Sequence, residues 1–220
     1  MSLGPWPARA GSLILRHAEA RDLEPLIAIR NDPGVNRFML RTHVDPETFR
    51  QEWLAVAGSE TDYSCVAEHD GQVVAMGFLN IVNGMGQPEA PQLTEGVIGY
   101  IVDPAFGGRG FGSDLTRGLL AAAFDSLGLR RVTAACNADN PASVRALEKA
   151  GMRREQHGVE DSWHAELGWV DGYQYALLQR GWRDLARPET PLNSAPRRAT
   201  AETHRISVAP RSVTDLLGAR

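Results

Sequence analysis

The chain has 220 residues, 43% hydrophobic and 23% charged, a balance that suits a globular protein and gives no case for a membrane class or for general disorder. A formal net charge of −4 offers no global attraction for nucleic acid, and no apolar run reaches the roughly 18 residues of a spanning helix. The first ten residues carry Pro5 and Pro7 and no continuous apolar stretch, which argues against a secretory signal and for a cytoplasmic protein.

Residues 1–12 read as an N-terminal extension, and Leu13-Ile14-Leu15-Arg16 as a short first strand. Asp22, followed by Leu23, Leu26, Ile27 and Ile29, has the cap and the apolar stripe of a helix, with Pro25 in the first turn, where proline is tolerated. Asn31-Asp32-Pro33-Gly34 makes a loop. Asp45-Pro46-Glu47 starts a second helix with Phe49, Trp53 and Leu54 on one side, ended by Gly58. Residues 63–68 and 72–82 flank Asp70-Gly71, the signature of an antiparallel hairpin with a tight turn. A Gly/Pro-rich loop covers residues 83–92, and residues 95–102 form a strand that stops at Asp103-Pro104, because proline lacks the ladder donor. Over residues 113–127, Leu115, Leu119, Leu120 and Phe124 recur at helical spacing before Gly128. Residues 131–136 are a strand, and Asn140-Pro141 opens a helix with Val144, Leu147 and Ala150 inward, closed by Gly151. Residues 173–178 read as the last strand. Beyond Trp182 the periodicity fades into Pro188, Pro191 and Pro196, so residues 13–187 are expected to hold the folded domain and residues 188–220 a mobile tail.

Several residue types narrow the chemistry. Cys65 and Cys136 lack the spacing of a metal knuckle or a disulfide scaffold and read as buried thiols. His43, His69, His157 and His164 share no zinc-binding spacing, so no metal is expected and solvated loop positions are their default. Trp163 and Trp169 flank Glu166, with core packing the expected role for at least one of them. Lys149 is the only lysine, so a phosphate would have to be met by arginine or by backbone N–H groups.

The segment from Tyr100 to Ser113, Tyr-Ile-Val-Asp-Pro-Ala-Phe-Gly-Gly-Arg-Gly-Phe-Gly-Ser, offers such groups: a strand, a glycine-dense turn and a helix start. Glycines bring the backbone close to a bulky anion, and the free amides of a first helical turn hold negative charge. No register of Gly107, Gly108, Gly110 and Gly112 completes G-x-G-x-x-G, and no lysine precedes Ser113 as a Walker loop requires. A diphosphate cradle and a plain structural turn both remain open at this point.

The wider pattern resembles the GNAT N-acetyltransferase superfamily, and within it the ribosomal-protein N-terminal acetyltransferases. Gly107-Gly108-Arg109-Gly110-Phe111-Gly112 is similar to that family's R/Q-x-x-G-x-G/A loop, with Gly107 standing where Gln or Arg is usual. Ile98-Gly99-Tyr100-Ile101-Val102 resembles its fourth strand, Asn137 with Asn140-Pro141-Ala142-Ser143 its N-x-x-N-x-x-S segment, and Leu147-Glu148-Lys149-Ala150-Gly151-Met152 its L-E-K-x-G-F. The resemblance implies an α+β fold with a mixed, mainly antiparallel sheet, splayed central strands and flanking helices. It further implies that acetyl-CoA is the acyl donor, its pyrophosphate cradled by Gly107, Gly108, Arg109, Gly110, Phe111, Gly112 and Ser113. Ile101 and Val102 would contact pantetheine, ordinary core packing being compatible with that role. Asn140 would meet the cofactor arm or serve as a helix N-cap.

The implied reaction is acetyl transfer to a primary amine, either a protein N-terminal α-amine or a small-molecule amine, by direct attack. Such an amine, with a pKa of roughly 8 to 10, must shed a proton first. Glu95, which shares a strand face with residues 97, 99 and 101 by period two, is the candidate base, a rim salt bridge being its other reading. An amide at Val102 or its neighbour would meet the oxyanion. Ser143 would return a proton to the leaving thiolate or simply cap its helical turn. A non-catalytic acyl-CoA-binding module and a transferase of longer acyl chains are the alternatives. Acceptor choice falls to residues 31–45, 83–92 and 157–171, read as loops. No nucleic-acid or membrane partner is expected, and a homodimer is the common default for such enzymes.

Overall fold

The computed structural model describes residues 4–40 and 43–185; the tail expected over residues 188–220 lies outside the described residues. Eight strands form one sheet. In spatial order they are β1 (Ala8–Ala10), β2 (Leu13–Arg16), β3 (Cys65–His69), β4 (Gln72–Val82), β5 (Glu95–Val102), β6 (Arg131–Asn137), β8 (Gly168–Leu178) and β7 (Arg153–His164). Every neighbouring pair is antiparallel except β5 and β6. That parallel pair is registered only from Glu95 opposite Arg131 to Ile98 opposite Ala134, and past those residues the two strands part.

Alternation along the strands sends apolar residues to two layers. On one face α1 (Leu23–Arg30), α2 (Pro33–Asn36) and α3 (Pro46–Ala55) bring Leu26, Phe49 and Trp53 against Met76 and Ile101. On the other, α4 (Phe111–Ala121), whose last turn loosens into a π turn over Ala122–Ser126, packs Leu115 and Leu119 on Leu15, Leu79 and Ile98. α5 (Pro141–Lys149) adds Leu147 to that layer, and α6 (Gln179–Leu185) stacks Trp182 on Phe124. This is the mixed, mainly antiparallel α+β architecture expected.

Short-range signals account for most element ends. Asp70 and Gly71 both take positive φ, +49° and +79°, as the tight β3–β4 turn requires. Asp45 accepts the Thr48 amide at 2.9 Å and Asn140 the Ser143 amide at 3.1 Å, each just ahead of a proline that starts its helix. Other features depart from the sequence reading. Residues 33–36, read as loop, form α2 because the Asp32 carboxylate caps Gly34 and Val35. Leu54 is exposed rather than inward. Within the presumed N-terminal extension β1 adds an edge strand, and Trp6 is buried with its Nε1–H donating to the Tyr63 carbonyl at 2.9 Å. The largest departure is β7 with the first half of β8, a long hairpin where a loop was expected over residues 157–171.

Asp22 does not cap α1 with its side chain. Its carboxylate instead meets Arg16, whose Nη1 and Nη2 donate at 2.6 and 3.0 Å, while Arg16 Nε donates to Glu68 at 2.9 Å. Three parts of the chain, β2, β3 and the start of α1, are thereby tied by one guanidinium. Burial alone would raise the Asp22 carboxyl, but the bonds from Arg16 and from the Glu19 amide outweigh it and hold the group below the usual carboxylate range. Asp22→Asn should lower the unfolding free energy by about 3 kcal/mol at neutral pH, since it leaves a buried cation short of its partner. Because the folded group binds its proton later than the unfolded one, the contribution is complete above the ordinary carboxylate range and is lost as pH falls through the folded value. Urea titrations of both proteins at pH 6 and pH 3 should therefore show the difference shrinking at pH 3.

Candidate functional site

Where β5 and β6 part, a groove of about 580 Å³ opens between the end of β5, the glycine loop and the start of α5. Local chemistry shapes the loop. The Asp103 carboxylate accepts the Ala105 amide at 2.8 Å and turns the chain at Pro104. Gly108 and Gly110 then take φ of +76° and +88°, values that side-chain-bearing residues adopt only with strain, and Gly110 is the N-cap of α4. A Cβ on Gly112 would lie 3.3 Å from the Tyr100 ring, so the missing side chain lets the helix start close against the strand. The Ser113 and Asp114 amides fold back to the Gly110 carbonyl at 3.0 and 3.1 Å. The amides from Gly108 to Gly112 have no intramolecular acceptor among the described residues and, with the helix dipole behind them, could hold an anion.

Ile101 and Val102 line this groove from β5, as do Asn140 and Ser143 from the α5 end and the loop residues Gly107, Gly108, Gly110, Phe111, Gly112 and Ser113. Arg109 stands apart: its guanidinium lies 5.2 Å from the centre of the Phe106 ring and stacks there. Asn140 is engaged as the cap of α5 through its carbonyl oxygen while also facing the groove. Tyr100, not singled out from sequence, points its hydroxyl into the same region, where it is buried without a hydrogen bond. Burial pushes the phenol up, and the nearby hydroxyls of Ser143 and Thr116 pull it partly back.

Glu95 is not part of this arrangement. It sits at the opposite end of β5, about 23 Å of extended chain from Val102 at roughly 3.3 Å per residue, and its carboxylate pairs with Arg130 and, at 3.8 Å, with Arg131. The geometry is that of the rim salt bridge, the other reading of this residue.

A second cavity, about 370 Å³, shares Ala135, Cys136 and Asn137 of β6 with the groove and is walled by Phe38 and Met39 on one side and the β7–β8 hairpin on the other. His164, expected to be solvated, is 1% exposed and fastens that hairpin. Its Nδ1 accepts the Glu166 and Leu167 amides, each at 3.2 Å, which leaves Nε2–H to donate to the Asn36 carbonyl of α2 at 3.1 Å. His157 bonds Asp171 at 2.8 Å. Trp163 and Trp169 are not core residues: both are more than half exposed and pack edge to face at 5.4 Å. Cys136 lies between the two cavities, its thiol pushed up to about 11 by burial and by Glu148, so it stays protonated at neutral pH. Among the described residues no group of His, Cys, Asp and Glu could hold a metal ion, and no helix is long and apolar enough to cross a membrane.

Comparison with known proteins bears on this geometry. Residues 12–153 match the family model described as the acetyltransferase (GNAT) domain. Among curated relatives, the uncharacterized N-acetyltransferase YnaD of Bacillus subtilis (strain 168) is 32% identical over 85 residues, 39% of this chain and 49% of that protein, so the match spans about half of its length. The uncharacterized N-acetyltransferase p20 of Bacillus licheniformis is 26% identical over 175 residues, 76% of this chain and 93% of the other. Among solved structures, the spermidine N-acetyltransferase from Vibrio cholerae in complex with CoA and spermine superposes with a TM-score of 0.69 at 19% identity, over 78% of this chain and 98% of that one, a likeness of fold.

His164→Ala should free the β7–β8 turn from α2, leaving two amides and a carbonyl unsatisfied at a cost of about 2 kcal/mol. Hydrogen exchange followed by NMR should show the Glu166 and Leu167 amides of the turn losing protection before the amides of β8.

Proposed function

The chain belongs to the GNAT acetyltransferase family, and from that premise we propose that it transfers an acetyl group from acetyl-CoA to a small primary amine. The observation that carries the reading is the parting of β5 and β6 directly beside the amides of Gly108 to Gly112. A pyrophosphate at those amides puts the pantetheine arm along the part of β5 that β6 no longer pairs, where strand amides have lost their partner on that side and can bond the arm and the thioester oxygen. The residues fit such a guest: Gly108 and Gly110 leave open space where a Cβ would stand, and Tyr100 brings a buried hydroxyl without a hydrogen bond to the groove's wall.

The acceptor reaches the thioester through the second cavity, which meets the groove at Ala135, Cys136 and Asn137. Its volume of about 370 Å³ falls at the small end of ligand sites and supports a small amine. The motif likeness to the ribosomal-protein N-terminal acetyltransferases supports an α-amine of a protein as the second acceptor class. The amine, having given one proton to solvent, attacks the thioester carbonyl; the C–S bond breaks as the amide forms, the nitrogen's surplus proton passes to water, and the coenzyme leaves as a thiolate whose conjugate acid has a pKa of roughly 8.5 and needs little help to leave. Ser143 and Tyr100 present the hydroxyls that can supply the thiolate's proton, Tyr100 remaining protonated because burial raises its pKa. Glu95, held by two arginines at the far end of β5, is left out of the proton path.

Calorimetry should give a one-to-one complex with coenzyme A, and thiol release from acetyl-CoA should rise on addition of amines. Gly110→Val puts a β-branched residue at φ +88°, a strain on the order of 1–3 kcal/mol at the N-terminus of α4, and should weaken coenzyme A binding by about tenfold or more. Tight binding with no thiol release across an amine panel would mark a binding module instead, and no heat of mixing with folded protein would end the reading.

A further inference from the structure

We propose that Asp161 selects the acceptor, its carboxylate holding a second, positively charged group on an aliphatic amine that enters through the cavity beside the β7–β8 hairpin. This rests on the acetyl-transfer reading above and adds the substrate class to it.

The hairpin is built to present this side chain. Gly158 pairs with Gly172 and Ser162 with Val170, so β7 carries three residues where β8 carries only Asp171, and Glu160 in that excess takes φ +50°. A bulge of this kind turns a side chain that regular alternation would send elsewhere. The bulge is pinned from beneath, where the Glu160 amide donates to Asp171 Oδ1 at 2.8 Å and Asp171 Oδ2 is taken by His157. Asp171 is thus consumed by the hairpin. Asp161 accepts the Ser162 hydroxyl at 3.1 Å, and among the described residues no cation pairs with it.

Its position follows from the glycines below it. A Cβ on Gly172 would come within 2.9 Å of Asp161 Oδ1, and one on Gly158 would overlap the carboxylate outright. The carboxylate therefore lies in the side-chain space of two paired positions, on the face those positions share with Asn137, which pairs with Gly172 from β6. One strand spacing, about 4.8 Å, separates that level from the end of β6, where the two cavities meet. The attacking nitrogen must reach the gap on the far side of β6, so Asp161 is placed for a group further along the acceptor.

The rest of the cavity agrees. Its described lining has no arginine or lysine, and Phe38, Met39, Leu40 and Val170 offer apolar surface to a carbon chain. An acceptor with two ammonium groups on a short aliphatic chain satisfies both features, whereas one ending in a carboxylate would face Asp161 with like charge.

The test compares 1,4-diaminobutane, butylamine and 4-aminobutanoate as acceptors at saturating acetyl-CoA. The wild-type protein should prefer them in that order by kcat/KM. Asp161→Asn should erase about tenfold of the diamine's advantage over butylamine, mainly through KM, with coenzyme A affinity by calorimetry kept at the wild-type value. Gly172→Ala, which keeps the charge but pushes the carboxylate aside, should act in the same direction. A wild-type protein with no diamine preference, or a preference that both substitutions leave intact, would overturn the inference while coenzyme A binding and turnover still stand. Loss of coenzyme A binding by the wild-type protein would overturn it together with the reading beneath it.

Discussion

A parallel pair of strands cannot stay paired once its hydrogen-bond partners are asked to serve something else, and this protein depends on that constraint at Ile98 and Ala134. Up to those residues β5 and β6 are bonded like any central pair; beyond them each strand keeps its outer neighbour, β4 for β5 and β8 for β6, and loses the inner one. Unpaired amides and carbonyls inside a sheet are costly unless something bonds them. Under the proposed reading an extended polar guest would bond them, and the flanking pairs, eight residues of β4 on β5 and seven of β6 on β8, are long enough to keep the gap from collapsing.

Under the proposed reading the anion end of that guest would meet the loop's backbone amides, with Arg145 and Lys149 of α5 lining the same groove. Within the loop between β5 and α4 itself, Arg109 is parked on Phe106 and the groups left facing outward are oriented amides. Amides need no rotamer ordering and carry no counter-charge to be desolvated, so the cost of holding them ready is borne by Gly108 and Gly110 in conformations that other residues resist. The same economy makes the loop sensitive to single side chains: nothing lies within 4 Å of a Cβ at either position, so it is conformation and not crowding that demands glycine there.

How much of this could be read from the residues follows the range of the interactions involved. The β3–β4 turn, the end of β5 at Asp103-Pro104, the glycine loop and the caps at Asp45 and Asn140 depend on neighbours a few residues away, and their signals survive in sequence. β7 left no such trace, because it is an edge strand whose Arg153 to Glu160 stretch is wet on nearly all sides, with Gly158 and His164 its buried points. Without a dry face there is no period-two pattern to find. Glu95 illustrates a different limit: period two correctly puts it on the face of Gly99 and Ile101, but periodicity is silent about which end of a strand faces the work. Tyr100 and Asp161 were hidden for a third reason, since an orphaned hydroxyl and a bulge exist only once distant strands are in register.

The two faces of the sheet present different residues to the groove. Tyr100 and Cys136 share the α4–α5 side with Ile98 and Ala134, while Gly99, Ala135 and Asn137 alternate to the side covered by Phe38 and Met39. The groove and the second cavity share Ala135, Cys136 and Asn137 at the end of β6 and Phe38 and Met39 above it, so under the proposed reading donor and acceptor would meet beside the gap between β5 and β6. By bonding the Asn36 carbonyl, His164 joins the hairpin that walls the second cavity to the end of α2, two residues before Phe38 on the cavity's other wall. Were that hairpin free to swing, the bulge that turns Asp161 would hold its shape and lose its aim, since its own bonds, Glu160 to Asp171 and Asp171 to His157, all lie within the hairpin.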